Sequence, residues 1–182
     1  MHYLCRYLFL SFHFHHIKTP ALENYEFDEE LRNLLMKYIL IIELHMKSLI
    51  SYSFCEKYGA SQAEYLNCLN YNYTSPKLQS KVNEFIQIIN EILNSNNKPI
   101  YLKHQAKNNN IPLWALVKIL TIGNISKMYS IQNPSIQSKI SHEFPEINEG
   151  SLIYMLDILT RFRECLDVRR STLPYISEAK DV

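Results

Sequence analysis

Between Asp28 and Tyr52 large side chains recur at three- and four-residue steps, through Leu31, Leu34, Leu35, Tyr38, Ile42, His45, Met46 and Leu49. That period predicts an amphipathic helix. Leu40, Ile41 and Leu44 add apolar surface on its other faces, so the helix is expected to be central, with neighbours on several sides. Gly59, Ala60 and Ser61 interrupt the pattern; a short helix is expected from Ala63 to Leu69 and a loop from Asn70 to Thr74. Ser75-Pro76 then opens a helix, with Ser as N-cap and Pro in the first turn. Leu78, Val82, Phe85, Ile89 and Ile92 form its stripe, and Asn94 to Asn97 end it.

A short helix is expected from Pro99 to Gln105, followed by a polar turn at Asn108 to Asn110. Pro112 starts a helix running through Trp114, Val117, Leu120 and Thr121, with Gly123 either capping it or permitting close packing. Ile136, Ile140 and Phe144, then Leu152, Met155, Leu156, Leu159 and Phe162, predict two more helices separated by Pro145 to Gly150. The fold class is therefore all-α, a single bundle of roughly five to seven helices. Residues 21–170 form the domain, 1–20 a preceding segment and 171–182 a frayed polar tail.

With only three glycines, Gly59, Gly123 and Gly150, the chain has neither the turns of an all-β fold nor a Gly-rich phosphate cradle. A formal net charge of +1 gives no global field toward nucleic acid, so any RNA contact needs a local patch. Cys5, Cys55, Cys68 and Cys165 lie far apart without CxxC spacing, which suits reduced thiols in the cytoplasm. Residues 3–14 are apolar, but Arg6 interrupts them, no cleavage site follows, and the run is too short to span a bilayer. They read as a buried helix or the stub of a longer N-terminal region, and no membrane partner is expected.

Several residues are candidates for chemistry. His13, His15 and His16 alternate as zinc ligands can. No carboxylate or cysteine stands at a paired spacing nearby, so a surface segment is the better reading and no metal or cofactor is expected. Asp28/Arg32 and Glu43/Lys47 have the spacing of intrahelical ion pairs; alternatively, Glu43 points into a crevice where burial tunes it for proton transfer. Trp114, the only tryptophan, reads as a core residue, with Lys118 one turn on. Arg161, Arg163, Arg169 and Arg170 form a basic cluster that suits either phosphate binding or a solvated helix C-terminus.

Three stretches resemble the Abi-like (AbiD/AbiF-type abortive-infection) family. Tyr25-Glu26-Phe27-Asp28-Glu29-Glu30-Leu31-Arg32 is similar to the family's Tyr-x-Phe-Asp-x-x-Leu-Arg opening, and Ile42-Glu43 to the helix that follows it. Lys47 stands where the family more often has Arg. Pro112-Leu113-Trp114, then Thr121-Ile122-Gly123-Asn124-Ile125-Ser126-Lys127-Met128-Tyr129, resembles the family's Pro-x-Trp and Ser/Thr-x-Gly-x-x-Ser-x-x-Tyr segments, with Lys118 in place of an acidic residue. Phe162-Arg163 resembles the start of an Arg-Asn-x-Cys-Ala-His signature shared with the HEPN class of helical ribonucleases. There the likeness stops: Glu164 replaces Asn, Cys165 is one position early, and the last histidine in the chain is His142.

The resemblance, over about residues 25 to 165, implies a HEPN-like bundle and a phage-defence function. It also implies metal-independent RNA cleavage, RNA as partner, and two copies of the motif facing each other in a homodimer. In that chemistry the ribose 2′-hydroxyl attacks, a histidine moves protons and an arginine stabilises charge on phosphate. Arg163 is the remnant catalytic residue. Without its histidine the chain is expected to be inactive as a nuclease, unless His45 or His104 substitutes; His104 aligns with a family histidine that reads as structural. The alternative is a non-catalytic helical module for protein interaction or dimerisation. Relatives extend beyond both ends, so the chain is expected to be a fragment, with a frameshift or truncation after Arg163.

Overall fold

The structure, a computed structural model, describes residues 20–95, 99 and 110–172, with side chains from 26 to 167 within those ranges. Among the described residues there are seven α-helices and no strand: α1 Pro20–Tyr58, α2 Gln62–Leu66, α3 Pro76–Asn94, α4 Leu113–Leu116, α5 Ile122–Ser130, α6 Pro134–Ser141 and α7 Glu149–Thr172. One 3₁₀ turn spans Cys68–Asn70. The all-α expectation holds. The helix expected at Pro99 to Gln105 lies almost wholly outside the described residues, as do His13, His15, His16 and His104.

The chain divides into two compact units between Leu35 and Met36. In the first, Arg32 Nη2 donates to Asp28 Oδ2 at 2.5 Å, the intrahelical pair that the spacing predicts. Phe27, Leu31 and Leu35 are exposed.

In the second unit, α1 buries Ile39, Glu43, Met46, Ile50 and Phe54, a seam at three- and four-residue steps. This corrects the predicted stripe, in which Tyr38 and His45 faced inward: both are exposed. Leu40, Ile41 and Leu44 are also exposed, so α1 is not surrounded on several sides. A helix apolar nearly all round carries no pattern that selects one face, and tertiary contacts make the choice. Gly59 ends α1 at φ +93°, a conformation that side chains with a Cβ rarely adopt.

The Ser75 cap forms as predicted, its hydroxyl accepting from Leu78 N at 3.3 Å, and α3 buries Val82, Phe85, Ile89 and Leu93. Of the helix expected from Pro112 through Thr121, only Leu113–Leu116 is α-helical, and a separate helix, α5, follows at Ile122–Ser130. α4 lasts a single turn, and Thr121 starts α5 by accepting from Asn124 N at 3.3 Å. Gly123 therefore sits in the first turn of α5 and is not a C-cap. Its role is the close approach: a Cβ there would lie 3.3 Å from Thr160 Cγ2 of α7. α5 packs along α7, and α6 against α7 as well. Asn148 starts α7, accepting from Ser151 N at 2.8 Å, and Leu152 and Leu156 anchor its inner face.

Candidate functional site

A carboxylate on a core seam is costly unless cations and donors satisfy it. Glu43 is satisfied twice. Its Oε1 pairs with Lys47 Nζ at 2.7 Å, one turn along α1, and its Oε2 with Arg163 Nη1 of α7 at 2.5 Å. The Glu43 and Lys47 side chains keep only 10% and 13% of their exposure, and Arg163 keeps 29%. On the solvent side, Arg163 Nε faces Asp167 Oδ2 at 3.5 Å. The two readings of Glu43 thus coincide in part: it makes the intrahelical pair and also lies buried between helices.

The placement of Arg163 follows from the sequence around it. Leu152, Leu156 and Arg163 share the inner face of α7, and Thr160, one turn before Arg163, is the residue that Gly123 lets α5 approach. A guanidinium carries five N–H donors, and among the described residues its ion-pair partners are Glu43 and Asp167. Donors remain for an anion arriving from solvent. Two cations and two carboxylates make up the cluster, and among them there is no histidine.

His45 does not fill that gap. It lies two residues after Glu43, about 200° further round the helix, and its ring meets Phe144 edge-on at 5.7 Å between centroids. Cys55 offers no reactive thiolate: burial pushes its thiol up, against a smaller lowering by a hydrogen bond with Ser51. Among the described residues no three His, Cys, Asp or Glu side chains gather to hold a metal ion. No described helix is long and apolar enough to cross a membrane.

The other predicted residues are dispersed. Pro112 takes the N-cap position of α4. Trp114 is 50% exposed, which corrects the expectation of a core tryptophan: in a one-turn helix, Leu113, Ala115 and Leu116 take the buried positions and the indole is left outside. Ser126 is half-buried on α5. Tyr129 is buried and donates its hydroxyl to Gln137 O at 3.1 Å, while Gln137 Nε2 donates back to Tyr129 O at 3.0 Å, so this tyrosine joins α5 to α6. Arg161 pairs with Asp157 at 2.9 Å on an exposed face, and the side chains of Arg169 and Arg170 lie outside the described ones. Sequence reasoning missed Asp167, although its four-residue spacing from Arg163 was the available signal.

The profile of one protein family, described as Abi-like protein, matches residues 11–166. No curated protein and no solved structure matches the chain.

Proposed function

Since this chain belongs to the Abi-like protein family, we propose that it serves abortive-infection phage defence through a site of RNA-cleaving ancestry. That site is built on Arg163 and Glu43, and the proton-transferring histidine is missing from it. One observation carries the reading. Arg163, the surviving residue of the Arg-to-His signature, is clamped by the buried Glu43, which Lys47 also holds. Such a clamp fixes a guanidinium where it can meet the charge that develops on a phosphate. The same carboxylate also draws down its field, so a bound phosphate shares the cation with Glu43.

Proton transfer is the missing half. Loss of a positioned general acid–base costs on the order of 10²- to 10⁴-fold in rate. The purified chain is therefore expected to leave single-stranded and structured RNA intact over hours. Gel analysis of end-labelled RNA checks this, and robust cleavage abolished by Arg163→Ala would overturn it. Cleavage lost instead in His45→Ala or His104→Ala would locate a substitute base.

A second reading, a non-catalytic module that binds a partner or a second copy, is favoured by the outer side of α1. Leu40, Ile41, Leu44 and Tyr52 are all exposed there, an apolar surface of the kind that marks interaction sites. Sedimentation velocity separates the readings. A dimer that Leu44→Glu dissolves supports the module, whereas a monomer unchanged by Leu44→Glu removes self-association from it.

A further inference from the structure

We propose that the apolar segment at residues 3–14 folds back along the start of α1 and covers the exposed stripe that begins with Phe27 and Leu31. Phe27, Leu31 and Leu35 recur at four-residue steps on α1 and are 48%, 36% and 38% exposed. The first compact unit runs from Met1 to Leu35, so the stripe and the segment belong to the same one. Three large apolar side chains along one line of a helix mark a surface that takes an occupant.

The sequence before α1 supplies one. Nine of the twelve residues 3–14 are apolar, and leaving them in water is costly. Tyr3, Tyr7, Leu10 and Phe14 fall at four-, three- and four-residue steps, a single line on a helix. Residues 15–19 separate the segment from α1, a length that suits the connection of an αα-hairpin. Pro20 opens α1 and disfavours helical backbone in the residue before it, which favours a turn over one continuous helix. Counting equal steps away from that connection in both directions sets Tyr7 against Phe27 and Tyr3 against Leu31. The two apolar lines coincide.

Charge agrees with the same pairing. Residues 1–19 carry Arg6 and Lys18 and no Asp or Glu. At 100° per residue, Asp28 and Glu30 stand on opposite edges of the line through Phe27 and Leu31, and both are exposed. The count brings Arg6 level with Asp28. The short tether also holds the segment at an effective concentration of about millimolar, which a second copy or another protein must exceed to take its place.

Trypsin cleavage after Arg6 tests the docking in the full chain. Release of the N-terminal peptide, followed by mass spectrometry, should be at least about tenfold slower than cleavage of a free peptide of residues 2–10. Phe27→Ser/Leu31→Ser should bring the rate to within about threefold of that of the peptide. Asn33→Ser, on the opposite side of α1, should leave the protection unchanged. Circular dichroism confirms that each variant keeps its helices; Leu31→Ser alone, expected to lose part of the protection, serves if the double variant does not fold. A parent chain cleaved as fast as the peptide overturns the proposal, and that outcome depends on no variant. Protection that survives Phe27→Ser/Leu31→Ser, or is lost equally in Asn33→Ser, overturns it too. Protection that fades on dilution would assign the stripe to a second copy, and the proposal would fall.

Discussion

Replacing Phe85 with alanine is expected to cost on the order of 3–5 kcal/mol of folding stability. The ring is 2% exposed, on the inner stripe of α3 between Val82 and Ile89. It meets Tyr71 edge-on with 6.0 Å between centroids, Tyr71 lies 5.5 Å from Phe54, and Phe54 lies 5.1 Å from Tyr58. This run of aromatics joins the C-terminal half of α1, the segment after the 3₁₀ turn and α3, so truncation at one end leaves a cavity lined by rigid rings. Tyr71 cannot move to fill it freely, because its hydroxyl donates to Tyr65 O at 2.8 Å. For a chain of this size the loss corresponds to roughly 10 °C in melting temperature. Thermal denaturation followed by circular dichroism checks it; a shift within about 2 °C would mean that α3 is not packed on this core.

Arg163→Ala is expected to cost about 2–3 kcal/mol, although the residue is partly exposed. The cost arises at Glu43, whose side chain is 10% exposed and loses one of its two cations. Removing one partner of a buried pair typically costs about 3–5 kcal/mol; Lys47, still 2.7 Å from Glu43, puts the value below that range. Replacing the whole cluster should behave differently. Glu43→Leu, Lys47→Leu and Arg163→Met together remove the desolvation cost along with the attraction, and stability should return to the parent value or above it. Urea denaturation of the single and triple variants tests both statements. A stable triple variant means that the cluster is not needed to hold the bundle together. Arg163→Ala within about 0.5 kcal/mol of the parent would show that the ion pair does not form in solution.

Much of the fold was legible because local signals agreed with one another. In α3 the Ser75-Pro76 opening and the stripe through Phe85 and Ile89 point to the same helix, and the structure has it. The start of α7 was equally clear in its Leu152 and Leu156 steps. The errors fell where a pattern admits several solutions. On α1 apolar residues cover most of the circumference, and the spacing points Tyr38 and His45 inward where the structure buries Ile39, Glu43 and Ile50. The helix expected from Pro112 through Thr121 breaks off at Leu116, and a second helix opens at Ile122. The break could have been read from Thr121, a good N-cap inside what looked like one helix. Missing it turned Trp114 from a surface residue into an expected core residue.

The candidate site was half legible. Glu43 and Arg163 were both singled out, one from helical spacing and one from family likeness, but their 2.5 Å contact spans 120 positions of sequence, and no local signal carries such a pairing. Asp167, by contrast, is legible in its four-residue spacing from Arg163, and the divergence of His45 in the two residues that separate it from Glu43 on one helix.

If the Arg163 cluster is an RNA-directed site that has lost its proton carrier, putting the signature's histidine and asparagine back should restore cleavage. Aligning Arg163 with the first residue of the Arg-Asn-x-Cys-Ala-His signature puts its histidine at Val168 and its asparagine at Glu164, both within α7. The Glu164→Asn/Val168→His variant should cleave RNA on the order of 10²-fold or more faster than the parent chain, and adding Arg163→Ala should abolish the gain. A folded variant that cleaves no faster than the parent, or one whose gain survives Arg163→Ala, would mean that Arg163 does not belong to an RNA-cleaving site.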